Sequence, residues 1–397
     1  MPIPAKINAG PQGFVKGRRH MKEKKRRDPL KWVIALTIIL GILAAGAIYG
    51  NTYLDRQKNQ ELQVLMDDVN ARNQQIEAQY QAALAEFEQE TADGVNQAWP
   101  AQKTEGWDVV DLTNYELESR SLETVNRQDA LYNGMLLVNE WHSRPDDFLE
   151  DQLESVSKAT NRTVSVKDNS VMLMPAAIAA LQSAITDARG QNLEYYVAYE
   201  GYRSWDEQNA LFQKQMERYK DLPEAEQIER AKKEVNYPGT SEFNTGLTAR
   251  MVLYKSGDKD INNLAFFSSE QGIWLYNNAW KYGLVFRFPL ADYPVKGTQD
   301  KSYKTGVSVK LQAFRYVGRG NAAVMHALDL CLEEYLDYLM EHPHLAVFEN
   351  GQLRYEIVRE YVGEGDPFQV HVSQKSGIKN TVISLDNMGY AVTVFEY

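Results

Sequence analysis

The sequence predicts an α+β protein displayed behind a membrane span and a helical stalk, and three observations carry that prediction. An uncharged, mostly apolar run occupies residues 32–50. Strand-like and helix-like segments alternate between Trp107 and residue 345. From residue 346 the chain alternates apolar and polar residues between turn signals.

The N-terminal region sets the expected topology. The 397 residues carry a net charge of −11 that conceals a split. Residues 1–31 hold ten Lys or Arg against Glu23 and Asp28, a net +8, which leaves −19 on the rest. The run WVIALTIILGILAAGAIYG at 32–50 is 19 residues long. At 1.5 Å per residue it spans roughly 30 Å, the thickness of a bilayer's hydrocarbon core. Basic flanks stay on the cytoplasmic side, so residues 1–31 are expected inside and the bulk of the chain outside. Trp32 and Tyr49 stand near the two ends as interfacial aromatics. Ala45-Gly46-Ala47 mimics a cleavage site, but the basic region is long for a signal peptide, so an uncleaved anchor is expected. This topology accounts for the basic tail, and the acidic remainder disfavours a nucleic-acid partner.

A polar stalk, 51–105, follows. Leu62, Leu65, Val69, Ile76, Tyr80, Leu84 and Phe87 recur at spacings of three, four or seven. That is helical periodicity with a narrow apolar stripe. It permits a homodimer through a coiled coil. Asn73 falls near a seam position, and a single helix packed on the next domain is the other reading.

The main domain is expected over 106–345. MLLVNEW (135–141) and VSVKDNSVMLM (164–174) look like strands. PAAIAALQSAITDARG (175–190) reads as a helix with Pro at its start and Gly at its end. YYVAYEGYRS (195–204) is a strand entering a turn, and 204–219 a helix with Ser204 and Glu207 in capping-box spacing. Residues 236–247 form a Gly/Pro/Asn-rich loop. Residues 269–286 read as a helix ending at Gly283 and then a strand. Residues 321–341 read as one helix containing Cys331, the only cysteine, so no internal disulfide is possible. Residues 346–397 read as a small β-rich extension.

Four ordered segments carry a family resemblance: GYRSWDEQNALF (201–212), PGTSEFNTGLTARM (238–251), WLYNNAWKYGLVFRFP (274–289) and LQAFRYVG (311–318). Together they resemble the VanY-type zinc D,D-carboxypeptidases of bacterial cell walls, over residues 130–340. The resemblance implies a core with a small antiparallel sheet flanked by helices. It also implies a zinc site built from His, Asp and His, with a Glu as general base. Here those positions hold Phe243, Arg250, Ala313 and Lys310. Phe and Ala offer no ligand atom, and Arg does not deprotonate in proteins. A unit charge pair at ~4 Å is worth about 4 kcal/mol at an effective dielectric of ~20, and a dication beside one fixed cation would be repelled by about twice that.

The resemblance therefore implies a degenerate member with no catalytic residues, no metal and no cofactor. What survives is the peptide-holding half, which the resemblance places at Arg203, Ser204, Gln208 and Ser241, joined by the new cations Arg250 and Lys310. Arg203 could hold a ligand carboxylate or pair internally with Glu200 or Asp206. Glu242 is expected to neutralise Arg250, and Arg315 to be structural. Three roles stay open: a non-catalytic binder of a peptidoglycan stem peptide or an envelope protein, a structural envelope protein, and an active carboxypeptidase with a non-standard site.

Overall fold

In the computed structural model the described residues are 106–397, together with Lys58, Gln60 and Gln63, which are helical and exposed. The expected span at 32–50 and nearly all of the stalk lie outside the described residues. No described helix is long and apolar enough to cross a membrane.

A five-stranded sheet organises the site. Its strands lie in the order Ser165–Val166, Tyr196–Glu200, Thr248–Leu253, Ala313–Tyr316 and Leu284–Phe286. The first pair is parallel and the other three pairs are antiparallel. Helix Pro175–Gly190 begins at its proline as expected and lays Ile178, Leu181, Ala184 and Ile185 against Tyr196, Ala198, Met251 and Phe314. Apolar residues three and four apart give the helix one continuous stripe, and that stripe buries the sheet's inner face. The register then aligns three site positions: Glu200 opposes Arg250, and Arg250 opposes Ala313. An irregularity between Ala198 and Glu200 breaks the pairing at Tyr199.

A second five-stranded sheet contains four C-terminal strands and one from the start of the domain. Its order is Trp107–Asp111, His344–Glu349, Gln352–Tyr361, Tyr390–Glu396, Asn380–Leu385. Phe368–Ser373 pairs with Arg120–Val125. The β-rich character expected after 346 is present, but these strands share a sheet and an apolar cluster with residues before 345. Residues 106–397 lie in one compact unit.

Two segments differ from their sequence reading. Met135–Val138 pairs with no strand, although its residues are buried. Met135 and Leu137 enter one apolar cluster, while Leu136 and Val138 enter another. The strand-like alternation therefore arises from two cores on opposite sides of one extended segment. The Arg315 guanidinium donates to the carbonyls of Gly134 and Leu136 in place of a neighbouring strand. The expected helix 321–341 is in fact two helices, Arg319–Ala327 and Leu332–Glu341. Asp329 takes φ 51 at the break, and buried Lys301 donates to its carbonyl and to Glu334 Oε2 at 2.7 Å. Cys331 precedes the second helix, buried and free; burial raises its thiol pKa.

Candidate functional site

Two turns lace together to build the cleft. Ser204 caps helix Trp205–Met216 through the expected box: its hydroxyl accepts from Glu207 N at 3.2 Å, and its own N–H donates to Glu207 Oε2 at 2.8 Å. The loop 236–247 closes back on this turn. Arg203 N donates to the Phe243 carbonyl at 2.9 Å, and Asn244 Nδ2 donates to the Arg203 carbonyl at 2.6 Å. Ser241 is buried, with its N–H on Asn244 Oδ1 at 3.2 Å.

The side chains at the four chemical positions divide by character. Phe243 and Ala313 are buried together with Phe288 and Val307, so two of the positions to which the resemblance assigns ligands form an apolar floor. Arg250 stands over the Tyr199 ring at 5.2 Å. Its Nε is buried without a hydrogen-bond partner, and it makes no ion pair among the described residues. Lys310 is exposed, with its ammonium 5.4 Å from the centre of the Tyr293 ring.

Arg203 is taken internally. Its Nε donates to Glu200 Oε1 at 3.0 Å, its Nη2 donates to the same oxygen, and its Nη1 donates to Gln208 Oε1 at 2.6 Å. The guanidinium also lies 4.9 Å from the centre of the Phe243 ring. Gln208, fully buried, passes its amide to the Asn236 carbonyl at 2.6 Å. Of the two internal partners expected for Arg203, Glu200 is the one that pairs.

Arg203, Gln208, Ser241, Phe243 and Arg250 line one cleft of about 210 Å³, with Glu200, Val307 and Leu311. Ser204 lines the neighbouring cleft, which shares Glu200 and Arg203, and Lys310 lies outside the lining of both.

The expected Glu242–Arg250 pair does not form. Glu242 faces the opposite way, into a buried four-member ion cluster beneath the floor. It accepts from Arg287 Nε at 2.8 Å, from Thr248 Oγ1 at 2.6 Å and from Arg315. Arg287 in turn grips Glu333 with two bonds, at 2.9 and 2.6 Å. Burial opposes the ionisation of Glu242, but the Arg315 and Arg287 guanidiniums hold its pKa down at about 2. Burial lowers the pKa of Arg315, whereas the carboxylates overcome burial at Arg287 and raise it. Arg315 is structural, as expected. The sequence reading missed Arg287 and Glu333. Arg287 was signalled by its place inside the apolar run GLVFRFP, whereas Glu333 fell within the expected helix 321–341 and reaches the first turn of a helix only through the break before Leu332.

The residues present do not fit the zinc implied by the resemblance. The cleft's two carboxylates are already engaged, Glu200 by Arg203 and Glu234 by Tyr219 at 2.7 Å and Arg218 at 3.4 Å, and the positions the resemblance assigns to the metal and the base are apolar or cationic. No group of three or more His, Cys, Asp or Glu side chains gathers as a metal site among the described residues. His342, His344 and His371 instead pair with Asp111, Glu356 and Glu360 at 2.7, 2.8 and 2.8 Å. His326 stacks on Trp280 with ring centres 4.6 Å apart.

Comparison with known proteins adds to this geometry. The model of the family VanY, D-alanyl-D-alanine carboxypeptidase, matches residues 170–319. The chain is 25% identical over 280 residues to a D-alanyl-D-alanine carboxypeptidase of Enterococcus faecium, covering 70% of this chain and 80% of that one. It is 29% identical over 231 residues to the putative carboxypeptidase YodJ of Bacillus subtilis, covering 57% and 77%. Among solved structures, the vancomycin-resistance D,D-dipeptidase VanXYg shares the fold with a TM-score of 0.52 at 23% identity, covering 70% of this chain and 99% of that one.

Proposed function

Residues 170–319 of this chain form a domain of the VanY D-alanyl-D-alanine carboxypeptidase family, and from that premise we propose that the protein is a catalytically silent member acting in the cell envelope by binding. One observation carries the reading. The positions that would hold the metal and the general base are Phe243, Arg250, Ala313 and Lys310, and two of them are packed into an apolar floor. No side chain there can bind a dication or take a proton from water at neutral pH.

The cleft keeps a reduced capacity for an anion. Arg203 is neutralised by Glu200 and Lys232 by Glu229, which leaves part-buried Arg250, with exposed Lys233 at the rim, for a peptide carboxylate. Exposed Leu211 and Val309 line the same cleft and suit an apolar neighbour on that peptide. The ligand class is a wall stem peptide or the acidic end of an envelope protein. A hydrogen bond to a charged group contributes about 1.5–3 kcal/mol, which supports weak binding without turnover.

The test is assay of the purified full chain for zinc and for D-alanine release from peptides ending in D-Ala-D-Ala. No stoichiometric zinc and no release are expected. Release of D-alanine would install the opposing reading, an active carboxypeptidase with a non-standard site, which the names of the relatives favour. Binding is tested by titration with stem peptides bearing a free or an amidated C-terminus. A response to the free acid alone, abolished in Arg250→Ala, is expected, and equal response to both forms removes the carboxylate role.

The apolar run at 32–50 behind a +8 tail further supports a single-pass anchor with the domain outside. Protease added to cells with permeabilised walls is expected to remove the domain and spare residues 1–31. Protection of the domain would reverse the topology.

A further inference from the structure

A second concave surface is built by residues of which none lines the cleft described above. Two hollows of about 270 and 460 Å³ adjoin, sharing Arg319, Tyr355 and Glu396. One wall is the small-residue side of helix Pro175–Gly190, at Ala176, Ala179 and Ser183. The other is the C-terminal sheet with Trp107. Tyr282, Tyr316, Tyr355, Tyr397 and Trp107 contribute aromatic surface along the groove, all of them part-exposed.

Its charge is opposite to that of the chain. Four exposed cations line the larger hollow: Lys281, Arg319, Arg354 and Lys379. Its two acids are already matched, Glu349 by Arg354 at 2.7 Å and Glu396 by Arg319 at 3.8 Å. Lys281 donates to a neutral amide, Asn278 Oδ1, at 2.9 Å, and Lys379 makes no ion pair among the described residues. Two surplus cations therefore flank an aromatic groove, although residues 32–397 as a whole carry −19.

We propose that this groove binds an extended anionic saccharide chain. A pyranose ring has apolar C–H faces and a polar rim. Aromatic side chains with a polar handle complement the faces and the hydroxyls, and the two lysines that line the larger hollow beside them complement a polymer's carboxylates. Two linked hollows suit consecutive rings better than a single compact ion. A protein with both sites would hold a wall polymer by its glycan while the cleft meets a peptide end.

The test is titration of the full chain in detergent micelles with fluorescent oligogalacturonate, a neutral cello-oligosaccharide of equal length, and polyphosphate. Oligogalacturonate is expected to bind, the neutral sugar to bind more weakly, and polyphosphate to be the poorest ligand. Lys281→Glu with Lys379→Glu, both at exposed positions, is expected to weaken oligogalacturonate binding about tenfold or more. Arg250→Ala is expected to leave it unchanged, which separates this site from the cleft. Absence of oligogalacturonate binding at millimolar concentration overturns the proposal. So does indifference to the double charge reversal. Polyphosphate binding as tight as oligogalacturonate would leave a generic cationic patch and also overturn it.

Discussion

At the scale of single residues, Glu200 decides how much of the cleft's positive charge is left unpaired. It stands one strand away from Arg250 in register, yet its carboxylate turns to Arg203, three residues along its own chain. Both partners are largely buried, so the pair is less screened than a surface bridge. Glu200→Ser is expected to free Arg203 and to tighten binding of a free-acid stem peptide about tenfold, measured by titration against the amidated form. No change would mean that Arg203 is held by Gln208 and Phe243 alone. Glu242 plays the opposite part, because it bonds two buried arginines at once. Removing one member of a buried charge group costs about 3–5 kcal/mol, so Glu242→Gln is expected to lower stability by that order in urea denaturation. Glu242's pKa falls on folding from 4.5 to about 2, so its ionised form stabilises the fold above 4.5 and that contribution disappears as pH falls toward 2.

At the scale of elements, the site depends on how strands and helices end. Helix Glu270–Asn278 tightens through Ala279–Tyr282 and stops at Gly283, whose φ of 86 lies in the left-handed region. A Cβ there would also sit 2.9 Å from the Gly318 carbonyl carbon. Gly283→Ala is therefore expected to destabilise by about 1–2 kcal/mol from backbone strain alone, with more from the clash. A lowered thermal midpoint checks this, and an unchanged midpoint would show that the Gly283–Gly318 approach is soft. Gly283 was legible because glycine follows a helical run and precedes an apolar strand. The break between Ala327 and Leu332 was not legible. Apolar spacing continues through it, and the group that satisfies the Asp329 carbonyl is Lys301, distant in sequence. Met135–Val138 was misread for a related reason: alternation reports that two faces are buried, and a strand ladder is only one way to bury them.

At the scale of the whole domain, acid is expected to weaken the fold before it reaches the carboxylates. Burial, with a smaller effect from Lys281, lowers the His326 pKa from 6.5 to about 4. The folded state therefore keeps this ring neutral while the unfolded chain accepts a proton. Stability should fall as pH drops from about 6.5 to about 4 and show no further loss from this group below that. His326→Phe, which retains a ring against Trp280, is expected to flatten stability across that window. An unaltered pH profile would assign the loss elsewhere. The same scale explains why residues 346–397 are not a detachable appendage. Trp107–Asp111 pairs with His344–Glu349 along its whole length, so the domain's first strand finds its partner only after the C-terminal region has been made.

The sequence by itself determined the α+β class, the helix at 175–190, the capped turn at Ser204, and the presence of Phe243, Arg250, Ala313 and Lys310 at the four positions to which the resemblance assigns ligands and base. These are properties of residue type and local spacing, which periodicity and capping chemistry express directly. Pairing was decided only by the tertiary structure. Arg203 chose Glu200, and Glu242 chose Arg287 and Arg315 over Arg250. Arg250 was left with a ring beneath it and no carboxylate. A charge selects its partner by distance and burial after the sheet register is fixed, and register is a relation between segments far apart in the chain.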